Sequence, residues 1–315
     1  MTRDPALISV VIPNYNGRRL LGPCLDSLRA QTYRSLEVVV VDDASTDDSC
    51  DFVRAQYPEV ELVARARNCG FSGAVNAGIR ASRGAALFLL NNDTTVDPGA
   101  LAVLAAALQD HPEAAFFASR VVFAATPHLL ESAGCEFSPE GDARAIGWNQ
   151  PVSTPRFAER RYVFGASAGA GLYRRSLFDD IGLFDEDFVM IHEDQDLNFR
   201  AQLRGHRCLY VPEAVVYHQG SATIGALGPR RVYYHLRNRL NLIAKNLPSG
   251  LLLEFGPRLL SAHARAVSFY ALRGEAGPAL RAHLDALRQL PTMLRKRRRL
   301  QASRRVSDTL LRSHL

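Results

Sequence analysis

The chain has little cysteine and no marker of a secreted or membrane-spanning protein. Its 315 residues include 5 cysteines, an odd number without a C-x-x-C pair. This argues against a disulfide framework or a zinc cage and predicts reduced thiols. No stretch reaches the ~18 uninterrupted apolar residues of a membrane span, and no signal peptide precedes the first apolar run. We therefore expect a cytoplasmic protein whose only membrane contact is peripheral, at the inner face of the cell membrane.

A dinucleotide-binding fingerprint is also missing. No G-x-G-x-x-G follows the first apolar run, which argues against an oxidoreductase. The net charge of +6 is unevenly placed: residues 251–315 carry 13 Lys and Arg against 4 Asp and Glu, and the first 250 residues carry 25 against 28. A basic tail behind a mildly acidic main part predicts two different partners.

Short runs rich in β-branched residues alternate with segments of helical spacing over the first 120 residues. Strands are predicted at 7–13, 36–41, 60–64, 85–90 and 114–119, with helices at 17–32, 73–81 and 98–109. Apolar runs without alternation indicate strands buried on both faces of a parallel sheet. The order predicts a doubly wound, mostly parallel α/β sheet with helices on both faces. Ligands of such sheets bind beyond the carboxyl ends of the strands.

The rest of the chain is less regular. Residues 124–162 are rich in Pro, Gly and charge, and predict a loop-bearing excursion that faces the ligand. A strand is predicted to end at His218, and helices are predicted at 193–204, 231–247, 251–273 and 277–290. We expect a catalytic domain over residues 1–247 and a basic helical appendage over residues 248–315.

Polar side chains follow three of the predicted strands. The first strand ends in Pro13-Asn14-Tyr15-Asn16-Gly17 and the second in Asp42-Asp43. A carboxylate at that edge can accept hydrogen bonds from a ribose or a base. Asn91-Asn92-Asp93 follows the 85–90 strand and offers hard oxygen ligands for Mg²⁺ or Mn²⁺, which a diphosphate would bridge. Alone this tripeptide would be a turn, but its place at the same edge as Asp43 favours a metal site.

The segment 182–197 places six carboxylates among apolar residues within twelve positions. Clustered, partly buried carboxylates raise one another's pKa, which suits a general base near neutral pH. At a helix N-terminus such residues can instead complement the helix dipole. We assign that role to Asp196 and the catalytic role to Glu193 or Asp194.

Together these segments resemble the family 2 glycosyltransferases of GT-A fold, over about residues 7–245. The motifs that carry the resemblance are, in chain order, SVVIPNYNG, EVVVVDDASTDDS, RNCGFSGAVNAGI, LLNNDTTVDPGAL, GLFDEDFVMIHEDQDLNFR and YVPEAVVYHQGSA. The set is most similar to the bacterial branch that includes rhamnosyltransferases of cell-wall and surface polysaccharide assembly.

The resemblance implies inverting transfer of a sugar from a dTDP- or UDP-sugar to a glycan or lipid-linked acceptor. It makes Asp194 the base, with Glu193 orienting the acceptor or raising the pKa of Asp194. Asp93 becomes the main metal ligand, since Asn91 replaces the first carboxylate of an Asp-any-Asp motif, and His218 completes metal or diphosphate binding. The implied donor-binding residues are Pro13, Tyr15, Asp43, Asn68, Gly70, Asn92 and Asp93.

Two other functions fit part of the pattern. A nucleotidyltransferase needs a Gly-rich loop with Lys or Arg after the first strand, and PNYNG is not one. A non-catalytic subunit that binds a sugar nucleotide or polysaccharide could keep Asp43 and Asp93, but it would have no use for Glu193-Asp194.

The basic tail carries a helical leucine stripe formed by Leu280, Leu284, Leu287 and Leu290, and the run Arg295–Arg299 follows Pro291. This combination fits attachment to an anionic membrane surface. A solvated or oligomer-forming helix fits as well, and the sequence leaves the oligomeric state open. Nucleic-acid binding is disfavoured, because no aromatic residues interleave the basic run.

Overall fold

The computed structural model describes residues 4, 6–220 and 228–313. Its first half alternates strands and helices much as the sequence predicts. The strands are β1 (Ile8–Asn14), β2 (Leu36–Asp42), β3 (Glu61–Ala64) and β4 (Ala86–Leu90), and the helices are α1 (Arg18–Arg29), α2 (Ser49–Gln56), α3 (Gly70–Ala81) and α4 (Ala100–Asp110). Parallel pairing gives the order β3-β2-β1-β4.

The rest of the described chain adds eight further strands and the remaining helices. The strands are β5 (Thr94–Val96), β6 (Ala114–Phe123), β7 (Thr126–Ser132), β8 (Cys135–Phe137), β9 (Ala143–Ala145), β10 (Arg161–Val163), β11 (Ala170–Arg174) and β12 (Arg207–His218). The helices are α5 (Arg175–Ile181), α6 (Glu193–Leu203), α7 (Pro229–Asn246), α8 (Ser249–Leu272), α9 (Ala276–Ala302) and α10 (Asp308–Arg312). Ser221 and Ala222, the end of the last sequence motif, lie outside the described residues.

The sheet continues from β4 through β11, β6 and β12 to β10. Strand β11 runs antiparallel to both β4 and β6, whereas β6 and β12 are parallel, so the complete sheet is mixed. At its carboxyl end, β12 pairs with β5 on one side and with β6 on the other. Strand β6 in turn pairs with β7 there. This arrangement gathers the predicted site segments at one edge.

Helices cover both faces of the sheet because its strands are apolar on both sides. Leu21 and Leu25 of α1 pack on one face together with Leu104 of α4. Val75 of α3 and Leu197 of α6 pack on the other face. Burial on both sides explains the unbroken apolar runs of β1 and β4. The predicted α/β class with helices on both faces is confirmed.

One predicted helix end is wrong, and one segment contains more regular structure than its pattern indicates. The 124–162 excursion contains β7, β8, β9 and the start of β10, and Phe137 is fully buried there. Its strands are too short and irregular to leave a clear period in the sequence. Pro291 does not end the last long helix, since α9 continues to Ala302. Ala282, Ala286 and Met293 of α9 are buried, and this packing outweighs the hydrogen bond that proline cannot make.

The C-terminal helices share a hydrophobic cluster with the sheet part of the chain. Leu251 and Phe255 of α8 join a cluster that contains Phe188 and Phe199. The division at residue 248 stays a prediction. In the part of the chain that the structure describes, no helix combines the length and the apolar character needed to span a bilayer.

Candidate active site

A hydrogen-bond chain crosses the carboxyl ends of β2, β1 and β4. The Asn14 amide donates to the Asp42 carboxylate at 2.9 Å, and the Asn92 amide donates to Asn14 Oδ1 at 2.8 Å. All three side chains are buried. A Cβ on Gly17 would lie 2.2 Å from Asn92 Nδ2, so glycine is needed for the close approach. Asn92 thus builds the edge of the sheet, and its predicted contact with the donor stays a prediction.

Asp43 lies at the end of β2 but faces the start of α3. Its buried carboxylate accepts backbone N–H bonds from Cys69 at 3.0 Å and Gly70 at 2.8 Å, and Arg65 Nε lies 3.3 Å away. Burial raises the pKa of Asp43, against these three contacts that lower it. The contacts take up most of its acceptor capacity. Arg65, which the sequence analysis missed, is a cation at the predicted nucleoside side.

The other predicted donor residues surround Asp43. Asn68 Oδ1 accepts the Gly70 N–H at 3.1 Å, which forms a local turn before α3. Gly70 has a φ of +75°, and a Cβ there would lie 2.5 Å from the side chain of Val189. Pro13 and Tyr15 close β1, and Tyr15 is 51% exposed. The structure brings these residues together at one edge and leaves the Tyr15 ring accessible to a ligand.

Asp93 and His218 meet although they are far apart in sequence. His218 Nε2 lies 3.0 Å from Asp93 Oδ1, and His218 Nδ1 lies 2.7 Å from the Glu131 carboxylate. Burial disfavours the imidazolium, but the hydrogen bonds and charges of the two carboxylates outweigh it and raise the pKa of His218 to about 10. Glu131, on β7, is a third member that the sequence analysis did not find.

The chemistry of this group fits a divalent cation. The carboxylate oxygen of Asp93 and the imidazole nitrogen of His218 face each other across a hydrogen bond, and a cation could replace the proton between them. Both atoms are of the kind that binds Mn²⁺. Glu131 fixes the imidazole from behind, as second carboxylates do at many metal sites. No cluster of three His, Cys, Asp or Glu that could hold a metal occurs within the described residues. The protein would therefore supply Asp93 and His218, and a diphosphate and water the other positions.

We expect Glu131→Gln to weaken Mn²⁺ binding by about 10- to 100-fold, because loss of the supporting carboxylate leaves the imidazole less basic and less well oriented. Titration of the protein with Mn²⁺, followed by electron paramagnetic resonance of the free ion, measures this without any turnover. Glu136→Gln on β8, an exposed carboxylate, is the control. Equal Mn²⁺ affinities in wild type and Glu131→Gln would contradict the assignment.

Most carboxylates of segment 182–197 are neutralised by cations. Asp185 contacts Lys245 at 2.6 Å and Lys296. Asp196 contacts Arg200 at 2.9 Å and Lys245 at 2.6 Å, so it is an ion-pair residue, whereas the sequence predicted a role in the helix dipole alone. Asp187 also pairs with Lys296, and Glu186 lies 3.9 Å from Arg80.

Glu193 and Asp194 are different, because within the described residues neither forms an ion pair with Lys, Arg or His. Glu193 is buried, and its Oε2 has no hydrogen-bond partner there. Burial raises the pKa of both carboxyl groups, and the charge of Asp194 raises that of Glu193 further. The Gln195 N–H donates to Asp194 Oδ1 at 2.7 Å, whereas Glu193 Oε2 has no such partner, so the ionised form is better stabilised at Asp194 than at Glu193.

A turn of small residues joins Asp194 to the metal motif. The Ala168 N–H donates to the Asp194 carboxylate, and the Gly169 carbonyl accepts the Asn91 N–H at 3.0 Å. A Cβ on Gly169 would lie 2.7 Å from Asn91 Nδ2. The glycines of 165–171 thus allow tight packing. Asp194 and the Asp93 loop lie on either side of this turn.

The backbone immediately before Glu193 is strained. Val189, Ile191 and His192 have φ values of +63°, +64° and +71°, and two of them are β-branched, for which this region is highly unfavourable. The Met190 N–H donates to the Phe188 carbonyl at 2.7 Å across Val189, which makes a γ-turn of the rare type. Such strain is typical of functional sites that the surrounding structure holds in place.

Helix α7 holds this strained segment. The fully buried Asn238 amide lies within 2.7–2.8 Å of the carbonyls of Phe188, Met190 and Ile191. Arg237 donates to the Phe188 carbonyl at 3.2 Å from the same helix. Neither residue was singled out from the sequence.

Comparison with solved structures identifies the fold. The crystal structure of S. aureus TarS 1–349 matches with a TM-score of 0.57 at 18% identity, covering 94% of this chain and 90% of that one. A mannosyltransferase from Pyrobaculum calidifontis, PcManGT, solved with GDP-Man and Mn²⁺, matches with a TM-score of 0.54 at 20% identity, covering 94% and 85%. The fold is therefore that of the GT-A glycosyltransferases.

The family follows from sequence. The model of glycosyl transferase family 2 matches residues 9–182, and the chain belongs to this family. The uncharacterized glycosyltransferase YwdF of Bacillus subtilis is 30% identical over 239 residues, which cover 72% of this chain and 81% of that protein.

Other relatives are longer. The chain spans 60% of the succinoglycan biosynthesis protein ExoO of Rhizobium meliloti, at 30% identity over 217 residues and 67% of this chain. It spans 19% of the uncharacterized protein y4gI of Sinorhizobium fredii, at 30% identity over 190 residues and 58% of this chain.

Proposed function

We propose that the chain is an inverting, divalent-metal-dependent glycosyltransferase that moves a hexosyl or rhamnosyl group from a dTDP- or UDP-sugar to a glycan or lipid-linked acceptor in polysaccharide assembly. The observation that carries the proposal is the pair of buried Glu193 and half-buried Asp194, for which the described part of the chain holds no cationic partner and which lies across one small turn from the Asp93 loop. A binding subunit would have no use for an uncompensated pair of this kind. The name of ExoO supports a polysaccharide product.

In this proposal Asp194 accepts the proton of the acceptor hydroxyl as it attacks the anomeric carbon. Protonated Glu193 beside it adds no second charge and can donate a hydrogen bond to the acceptor. Asp93 and His218 would hold Mg²⁺ or Mn²⁺, which when bound stabilises the charge of the departing diphosphate. Arg65 and Tyr15 would contact the nucleoside end of the donor.

The test is a panel of dTDP-, UDP- and GDP-sugars, scored by release of the nucleoside diphosphate with Mg²⁺, with Mn²⁺ and with EDTA. We expect release with at least one donor, dependent on the metal, and a product of inverted anomeric configuration by NMR. Donor binding without release from any member of the panel would favour the non-catalytic subunit.

The rate is expected to fall as the pH is lowered, because the base must be deprotonated. Burial raises the pKa of Asp194, so the acid limb of kcat/KM should lie above the ordinary range of an aspartate. A pH series at saturating Mn²⁺ measures it. A limb at the pKa of an exposed aspartate would contradict the role of Asp194.

We also propose that α9 attaches the enzyme to an anionic membrane, where a lipid-linked acceptor would lie. Its exposed apolar stripe is Leu280, Leu284, Leu287 and Leu290. The basic run contributes less than the sequence suggests, because Lys296 binds Asp185 and Asp187 and Arg297 donates to the Leu247 carbonyl. Arg295, Arg298 and Arg299 remain exposed.

Substitutions test this better than truncation, since removal of α9 would uncover Asp185. We expect the double variant Leu280→Ser, Leu287→Ser to lose flotation with vesicles that contain phosphatidylglycerol. Leu253→Ser, Leu272→Ser on α8, where both leucines are even more exposed, is the control. Wild-type protein that does not float with these vesicles would rule out the membrane role.

A further inference from the structure

The chain has a single tryptophan, Trp148, and it is 55% exposed. Among the described residues before 221, the large apolar side chains that are exposed are Tyr15, Trp148 and Tyr162. Tyr162 stacks with Arg207 near the amino end of β12, away from the site. An exposed indole forgoes the gain from burial and offers a large, rigid aromatic face to a ligand or a partner.

The backbone around Trp148 is built to present it. Gly147 and Asn149, on either side, have φ values of +79° and +58°. The Asn149 N–H donates to the Leu130 carbonyl at 2.8 Å, and the Ile146 N–H donates to the Gly134 carbonyl at 2.8 Å. A Cβ on Gly147 would lie 2.9 Å from the ring of Phe157. The turn is thus fixed to the sheet by hydrogen bonds and close packing, and it holds the indole outward.

The location of Trp148 relates it to the candidate metal pair. Its ring packs edge-on against Phe123, with centroids 5.0 Å apart and an interplanar angle of 86°. Phe123, the last residue of β6, is the register partner of His218 in β12. The strand that binds Asn149 also carries Glu131, which contacts His218. Through Phe123, Trp148 is thus one side-chain contact away from the strand end that carries His218.

The side of the metal pair on which Trp148 lies indicates whether it would contact the donor or the acceptor. Asp43 and Tyr15, the predicted nucleoside side, lie at the ends of β2 and β1, whereas Phe123 and Glu131 lie on β6 and β7. In the sheet, β4 and β11 separate β1 from β6. Trp148 is thus on the side of the reacting centre away from the nucleoside, where an acceptor would enter.

We infer that the exposed face of Trp148 is the platform for a pyranose ring of the acceptor glycan. A pyranose has an apolar face of C–H groups and a rim of hydroxyls, and an indole binds that face through dispersion and C–H contacts. The edge-on contact with Phe123 fixes the indole while leaving a face free. This inference rests on the proposed function and specifies its acceptor subsite.

Intrinsic fluorescence reports on this subsite directly, because Trp148 is the only tryptophan. The probes are the methyl glycosides of glucose, galactose, rhamnose and N-acetylglucosamine, and UDP and dTDP with Mn²⁺. We expect a saturable change with at least one glycoside, undiminished by either nucleotide. A response to nucleotides that glycosides cannot produce would overturn the inference and place the nucleobase there, and no response to any glycoside would also overturn it.

Variants separate stacking from folding. Trp148→Ala is expected to raise the dissociation constant of the responding glycoside, measured by equilibrium dialysis, roughly two- to tenfold, as for loss of one aromatic contact. Trp148→Phe should retain most of the affinity, and Tyr162→Ala all of it. Unchanged affinity for the glycoside in Trp148→Ala would contradict the inference. So would a raised KM for the donor without a loss of glycoside affinity. If no donor is turned over, the proposed function fails, while dialysis and fluorescence still decide whether Trp148 binds sugar.

Discussion

Replacing Asp194 with asparagine is expected to lower sugar transfer by about 10²–10⁴-fold, the usual contribution of a general base. The amide keeps the size of the side chain and its ability to accept the Ala168 N–H, but it cannot take a proton. Donor binding should survive, since Tyr15, Arg65 and Asp93 are untouched. Nucleoside diphosphate release and calorimetric titration of the donor measure the two effects separately.

Glu193→Gln is the matched control for this experiment. If Glu193 is protonated at neutral pH, a neutral amide replaces it with little loss of charge, so we expect a much smaller fall in rate than in Asp194→Asn. A comparable collapse in both would mean that the two carboxyl groups act as one unit. Full activity in Asp194→Asn would remove it as the base.

The strand-end motifs could be predicted because their signal is local. The apolar runs of β1, β2 and β4 and the polar residues after them lie within a few positions of each other. The resemblance to family 2 glycosyltransferases, and not the local pattern, implied that Asp93, His218 and Asp194 act together. Sheet order brings Asp93 and His218 together, as β12 joins the sheet beside β5 and the Asp93 loop precedes β5.

The orientation of side chains at these strand ends could not be predicted. Asn16 and Ala44 adopt φ values of +50° and +63°, so the chain leaves β1 and β2 in directions that no pattern specifies. Asn92 consequently faces Asn14, and Asp43 faces the start of α3. Glu131 was missed because it is 87 positions from His218 in a segment without a clear period.

The basic run at the end of α9 shows the same limit. In the sequence Lys296 belongs to a solvated basic cluster, whereas in the structure it is an ion-pair partner of Asp185, which is 111 positions away. A contact of that range depends on how α9 packs along α7. Composition therefore predicted correctly that the end of α9 is basic, but it did not predict that Lys296 forms ion pairs within the protein.

The second large effect is expected at Asn238, which is far from the chemistry in sequence but holds the backbone before the base. In Asn238→Leu the carbonyls of Phe188, Met190 and Ile191 would lose their common donor while buried, at a cost of about 2–5 kcal/mol in the free energy of unfolding. Without that donor the strained turn at Val189 can relax, and displacement of Asp194 by about 1 Å would lower kcat by about 10²-fold. The affinity for the donor should change little.

Asn241→Leu is the matched control, since Asn241 is buried on the same helix but its amide donates, among the residues that the structure describes, only to the Gln289 side chain, at 2.6 Å. Urea unfolding compares the stability of the two variants, and kcat is measured where both are fully folded. A purely structural role for Asn238 would lower stability and leave kcat of the folded fraction intact. A positioning role lowers kcat as well and leaves the donor KM unchanged. The strain at Val189, Ile191 and His192 has to be held by contacts from outside the segment, and Asn238 bonds to three of its carbonyls. We therefore expect a lower kcat and an unchanged donor KM in Asn238→Leu.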